Sequence, residues 1–275
     1  MRYLQKECVM SLSAAGKYIL LTWDIKKLVL STAMSYRAAF LVQVFGMFFN
    51  DGAWMVLWYI FFKRFPSVNG WGFNEMILLY AFGTLVFGVC EFLFDGVSEL
   101  SKYIVTGQLD VYLTGPKNVL WSLSVGKSDI SAIGDALFGF ALLIYMYGFA
   151  PLKILWFLSI TIISTVMFFD FMLIIQSMAF WFGDIEDAAK RLVQMMFSFM
   201  FYPQAIFTGV LKIIMMTVLP AFFIITVPTT LIIAFSWSYF AIFIASVVFG
   251  TIFALWLFNK GLARYESGNL MTTRQ

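Results

Sequence analysis

The sequence predicts an all-α polytopic membrane protein: six transmembrane helices, an N-terminal interfacial amphipathic helix, a short cytoplasmic helix and a re-entrant helical hairpin before the last span. Three observations predict it. Of the 275 residues, 62% are hydrophobic and 12% charged, whereas a soluble domain carries about 25% charged residues. Mean hydropathy is +0.89, and apolar runs of span length recur along the chain. The basic residues also segregate by loop, as they do around membrane spans. One hydrocarbon core takes about 20 helical residues, so the length allows roughly six to eight spans and no separate soluble domain.

The elements follow in order. Residues 1–37 carry charges throughout, among them Lys17, Asp24, Lys26 and Lys27, and their apolar stretches are too short for a cleavable signal. Tyr18, Leu21, Ile25 and Leu28 recur at helical spacing with lysines between them, the pattern of a helix lying in the interface. The transmembrane region is expected over 38–258, with a first span at Ala38–Phe62, a polar turn at Lys63–Trp71 and a second span at Glu75–Phe94. A long polar segment covers 95–129; the third span is Ile130–Phe149 and, after Pro151, the fourth is Ile154–Phe182. A charged loop, Gly183–Arg191, leads to a fifth span at Leu192–Thr208. Pro203, Pro220 and Pro228 then break the chain into pieces too short to cross, so 209–236 reads as a re-entrant pair of short helices, tolerated where protein or water surrounds it. The last span is Ser238–Phe258, and 259–275 is a cytoplasmic tail.

Six spans place both termini on one side together with 95–129. Of the 18 basic residues, all but Lys63, Arg64, Lys153 and Lys212 fall there, and the positive-inside rule makes that side the cytoplasm. The expected location is a cell inner or plasma membrane.

Several function classes drop out. The chain has no histidine, which removes His-based metal sites and His general bases. Its two cysteines, Cys8 and Cys90, lie in different segments and indicate no disulfide framework. A net charge of +3 without a concentrated basic face does not suit nucleic acid. Val125-Gly126-Lys127-Ser128 imitates the end of a Walker A loop, but Trp121 stands where its first glycine belongs and the context is pre-membrane.

The cytoplasmic segment is the most informative. Gly107 and Gly115-Pro116 bracket about two helical turns, on which Leu109, Tyr112 and Leu113 share a face while Gln108 and Asp110 lie off it. Such a short apolar-striped helix suits docking into a groove of another protein. A plain loop helix folded back on the bundle has the same pattern.

Gly107-Gln-Leu-Asp-Val-Tyr-Leu-Thr-Gly-Pro116 resembles the coupling-helix segment of ATP-binding-cassette exporter permeases of the ABC-2 class. Tyr202-Pro-Gln-Ala-Ile-Phe207, followed by Leu219-Pro220 and Val227-Pro228, resembles that class's re-entrant outer helices. The resemblance extends over the whole chain. It implies a membrane subunit of an ATP-driven exporter of an amphipathic or hydrophobic substrate, such as a drug, lipid or peptide. Two permease subunits, identical or different, would pair in membrane lipid. Each would seat its coupling helix in a separate ABC ATPase subunit, which binds ATP and Mg; this chain would bind no cofactor and catalyse nothing. The coupling residues implied are Gly107, Gln108, Leu109, Asp110, Tyr112, Leu113, Thr114 and Pro116.

Acids at membrane depth are the remaining chemistry: Asp51 and Asp170 near mid-span, Glu91 and Asp135 nearer the cytoplasmic ends. An acid at bilayer centre costs about 2.5–3.5 kcal/mol on insertion scales, so each should face the bundle or water. Each fits a substrate or cation pathway, or an internal hydrogen bond or protonated carboxyl that holds two helices together. Tyr202, Pro203, Phe207, Pro220 and Pro228 fit an outer gate, or aromatic filling of the outer leaflet with prolines ending the helices. Trp54, Trp58, Tyr59, Trp71, Trp156 and Trp237 fit an interfacial belt. Two competing functions remain open: a lipid-linked saccharide exporter on the same scaffold, and a proton-coupled secondary transporter using Asp51 and Asp170.

Overall fold

A computed structural model describes residues 14–203, 206–217 and 220–266. Cys8 and the rest of 1–13, Gln204, Ala205 and Leu219 of the outer motif, and 267–275 of the predicted tail lie outside them.

The described chain is helical, with one isolated bridge, Val68 to Trp71, closing the turn after the second helix. Helix α1 spans Ala14–Ser35 and breaks at Tyr36 before α2, Arg37–Arg64. Phe65 takes extended backbone because Pro66 follows it, and α2 stops there. Helix α3, Phe73–Phe94, starts with Glu75 reaching back to accept from the Gly72 N–H at 2.9 Å, an acid placed at the positive end of the helix. A 3₁₀ turn at Asp95–Glu99 leads into α4, Leu100–Thr106, which Gly107 ends with φ 73°. The short α5, Asp110–Leu113, and α6, Val119–Val125, complete the polar segment.

Helix α7 is Ala132–Tyr147; α8, Pro151–Ser177, opens on its proline, where a missing N–H does no harm. The single turn α9, Ala179–Phe182, extends it. Helix α10 is Glu186–Met200, α11 is Gly209–Thr217, a π turn covers Phe222–Thr226, α12 is Val227–Ile233 and α13 is Trp237–Arg264. The π turn has a local cause: Pro228 has no N–H for the Ile224 carbonyl four residues back, and the ladder widens just before it.

Four helical stretches are long and apolar enough to cross a membrane: Arg37–Arg64, Phe73–Thr106, Pro151–Phe182 and Trp237–Arg264. Helix α7 is apolar but has 16 residues, and α10 has 15, or about 24 Å and 22 Å at 1.5 Å per residue. The expected fifth span at Leu192–Thr208 therefore takes a different form: α10 starts earlier, at Glu186, and stops at Met200.

Helix α3 is central. In its most apolar stretch 72% of the residues are buried, against 11% in α2 and 17% in α13, which turn their apolar side chains outward. Three glycines set α7 between α2 and α3. A Cβ on Gly88 would sit 2.6 Å from the Ala136 nitrogen, one on Gly139 2.5 Å from Thr84 Oγ1, and one on Gly134 would overlap the Val44 carbonyl. Small residues of this kind let membrane helices approach backbone to backbone.

Candidate functional site

Two polar regions stand out, one at an end of the bundle and one at its middle. At the end, the segment between α3 and α7 folds onto α1 and is tied from several directions. Lys26 of α1 is buried, and its ammonium donates to the Val125 carbonyl at 3.0 Å, the Lys127 carbonyl at 3.0 Å and Ser128 Oγ at 2.7 Å. It thus satisfies carbonyls left open at the end of α6, a site that favours a cation. Burial lowers the Lys26 ammonium to about 8, with Asp95 acting in the opposite direction. Trp121 Nε1 donates to Thr22 Oγ1 at 3.2 Å, and its ring meets Tyr18 edge-on.

Lys127 reaches across to Glu99 Oε1 at 2.7 Å and Asp95 Oδ2 at 3.2 Å. Burial works against its charge, but the two acids outweigh that and hold its pKa above the usual lysine range. The sequence Val125-Gly126-Lys127-Ser128 is thus the C-terminal end of a helix with its lysine occupied by carboxylates, a setting unlike a phosphate-binding loop. Gly96 packs so closely under α6 that a Cβ there would overlap the Leu123 carbonyl.

Within the segment, the face predicted for Leu109, Tyr112 and Leu113 divides. Leu109 is wholly buried against the bundle, its N–H donating to the Tyr103 carbonyl at 3.1 Å. Tyr112 is half-buried, its ring 5.6 Å from that of Tyr103, and burial raises its phenol to about 12 with Tyr103 contributing. Leu113 is exposed, and so is Val111, at 73%. Gln108, Thr114 and Pro116 are exposed, Asp110 is half-buried and Gly107 is buried. The four-residue α5 is too short to keep one face outward. Gly107 turns Leu109 inward, so the outward apolar pair is Val111 and Leu113.

Other chain ends gather at the same place. Tyr265, just past α13, faces Asp110; burial raises its phenol to about 12, and Asp110 adds to that. Lys190, paired with Glu186 at 2.5 Å, also feels Glu99 and Lys127.

At mid-bundle the acids separate into different groups. Asp51 of α2 and Asp135 of α7 face each other, and Tyr80 of α3 donates its hydroxyl to Asp51 Oδ1 at 3.4 Å. Asp51 Oδ2 and both Asp135 oxygens are buried with no donor from another residue; the two carboxyls have only each other to share a hydrogen bond. Asp170 instead accepts from Thr251 of α13 at 2.5 Å, and Glu91 lies beside Asp95 at the end of α3. Asp51 and Asp170, paired in the proton-coupled reading, therefore belong to different clusters.

A cavity of about 140 Å³ opens beside Asp51, between α2, α3 and α10. Its aromatic walls include Trp58, which is buried against Tyr202 and Phe62. Of the expected gate residues, Tyr202 lines this cavity. Phe207 stacks on Phe222 with centroids 5.4 Å apart. Pro203 and Pro228 are buried, and Pro220 is half-buried before the π turn. Sequence reading missed Tyr80 and the cavity, although Met47, Asp51, Trp54 and Trp58, at steps of four, three and four, mark one helix face.

A family model for the ABC-2 family transporter protein matches residues 48–268. The chain belongs to the ABC-2 transporter family. Comparison with curated proteins and with solved structures yields no match. As an ABC-2 family member, the chain is a membrane transport component, and permeases of this family generally work with an ABC ATPase subunit. The match takes in the segment after α3, the mid-bundle acids and the pieces around Pro203, Pro220 and Pro228. Helix α1, with Lys26, precedes it.

Proposed function

We propose that this chain is the permease subunit of an ATP-driven exporter, and that residues 107–116 form the contact through which a separate ATPase subunit drives it. The carrying observation is the contrast within that segment. Val111 and Leu113 stand exposed on a turn anchored by the buried Leu109, between flanking stretches at 95–99 and 125–128 that Lys127 and Lys26 tie down. An apolar pair on a rigid mount transmits a push; on a loose loop it would be absorbed.

Six crossings fit this reading. Helix α1, the segment 95–131, the start of α10 at Glu186–Lys190 and the end of α13 meet at one end of the bundle. Helices α2, α3, α7, α8 and α13 supply five passages, and α10 with the chain to α12 supplies the sixth, its outer part a re-entrant hairpin over 209–236. Basic residues place the shared end in the cytoplasm of a cell inner or plasma membrane. The outward apolar faces of α2 and α13 are open to lipid and to a second permease subunit. ATP and Mg bind on the ATPase, and this chain supplies no catalytic group.

The test is co-purification with transport. The native chain captures an ABC ATPase subunit and moves substrate only with ATP. Val111→Asp with Leu113→Asp leaves the chain folded, because neither side chain is buried, but removes the captured ATPase. Full transport by the double variant, or by the chain without an ATPase, contradicts the proposal.

A further inference from the structure

The geometry points to a binding site for an organic cation of quaternary ammonium type in the cavity beside Asp51. The inference deepens the exporter reading and rests on it for the identification of the bound molecule as cargo. Occupancy of the site is tested by binding alone.

Three observations carry it. First, Asp51 is 2% exposed, lines the cavity, and leaves Oδ2 without a donor from any residue but Asp135. A buried charge without a counter-charge is expensive, and no Lys or Arg is among the described residues lining the space. Asp135, behind it, adds a second acid and no base.

Second, six aromatic residues line the space, several of them packed on one another. Tyr80 and Phe201 lie 4.5 Å apart, Trp58 and Tyr202 5.6 Å, and Phe197 and Phe201 5.0 Å. Ring faces attract cations, tryptophan most strongly, and more so away from water.

Third, the remaining polar groups suit a cation without N–H donors. The Tyr80 hydroxyl is occupied by Asp51, the Ser198 hydroxyl donates to the Gln194 carbonyl at 2.9 Å, and the exposed Asn50 and Tyr202 complete the polar lining. A primary ammonium needs three acceptors; a quaternary one needs only charge and π surface. The volume of about 140 Å³ is close to the roughly 150 Å³ of a cavity that holds benzene, which limits the group inside to a compact head. Any apolar tail would lie outside, against the exposed apolar surface around Trp54.

The experiment uses the full chain purified with its captured ATPase, and two probes of one shape: phenyltrimethylammonium and its uncharged counterpart tert-butylbenzene. Binding is read by calorimetry and by quenching of tryptophan fluorescence. The cation should bind the native protein at least about tenfold more tightly than the neutral probe, the size of one desolvated cation–π contact or more. Asp51→Asn should cut cation affinity at least about tenfold and leave the neutral probe unchanged; Trp58→Leu should weaken the cation more than the neutral probe. Equal affinity of the two probes for the unmodified protein overturns the inference without any variant having to fold. So does undiminished cation binding by folded Asp51→Asn. Cation binding in a preparation that never captures an ATPase upholds the site and sinks the exporter reading. A captured ATPase with no cation preference does the reverse.

Discussion

The buried charges at the cytoplasmic end and those at mid-bundle are treated in opposite ways. Lys26 makes three hydrogen bonds, and Lys127 holds two acids. Asp135 has only the Asp51 carboxyl to share a hydrogen bond with, and Asp51 faces a cavity that no basic residue lines. Both regions are built from buried ionisable groups on packed helices, so burial alone does not separate them. Satisfaction does. Paired charges fix the stretches that flank the turn with Val111 and Leu113, while the two acids at mid-bundle meet each other without a base.

The sharpest way to break this comparison is to attack what the fixed region presents. Val111→Asp with Leu113→Asp should abolish ATP-dependent transport while the thermal midpoint in detergent stays within a degree or two of native, since both side chains are exposed. A collapsed midpoint would mean that these residues serve the fold.

Next in size is the mount itself. Lys26→Met keeps the length of the stem but leaves the buried Val125 carbonyl without a donor and the half-exposed Lys127 carbonyl to water, and a buried unsatisfied group of that kind costs about 1–3 kcal/mol. Denaturation in detergent should show a loss in that range. The matching change at mid-bundle, Asp135→Asn, should cost less than about 1 kcal/mol or stabilise, because it removes one of two buried acids that crowd each other with no base between them. Equal losses from Lys26→Met and Asp135→Asn would erase the distinction between the regions.

A smaller effect reports on Lys26 through pH. Its pKa is about 8 in the folded chain, against a model-peptide value of 10.5. Between those values the unfolded chain binds more protons, so this residue makes stability rise with pH across that window. The native protein should therefore gain on Lys26→Met as pH goes from 8 to 10. A difference that stays flat would mean that the ammonium is as well solvated as a surface lysine.

Much of this was legible in the residues. The long apolar runs announced α2, α3, α8 and α13 within a few positions, because hydropathy and proline placement act locally. Gly107 and Pro116 marked the short segment for the same reason. The inward turn of Leu109 was not legible, since it depends on the Tyr103 carbonyl and on which side of α4 the bundle lies. The ties from Lys26 to Val125 and Ser128 span about a hundred residues, and no local pattern predicts them. The pairing of Asp51 with Asp135 instead of Asp170 follows from Gly134 letting α7 against α2, a contact set by the tertiary fold.

The central claim is that another chain's ATPase drives this one through the exposed turn after α4. A photo-crosslinking amino acid in place of Val111, in membranes, tests it most directly. The account predicts a single major adduct with an ABC ATPase subunit, stronger or weaker as ATP is added, and none from the same probe at Trp237 at the far end of the bundle. Adducts to lipid alone at position 111, with transport intact, would contradict it.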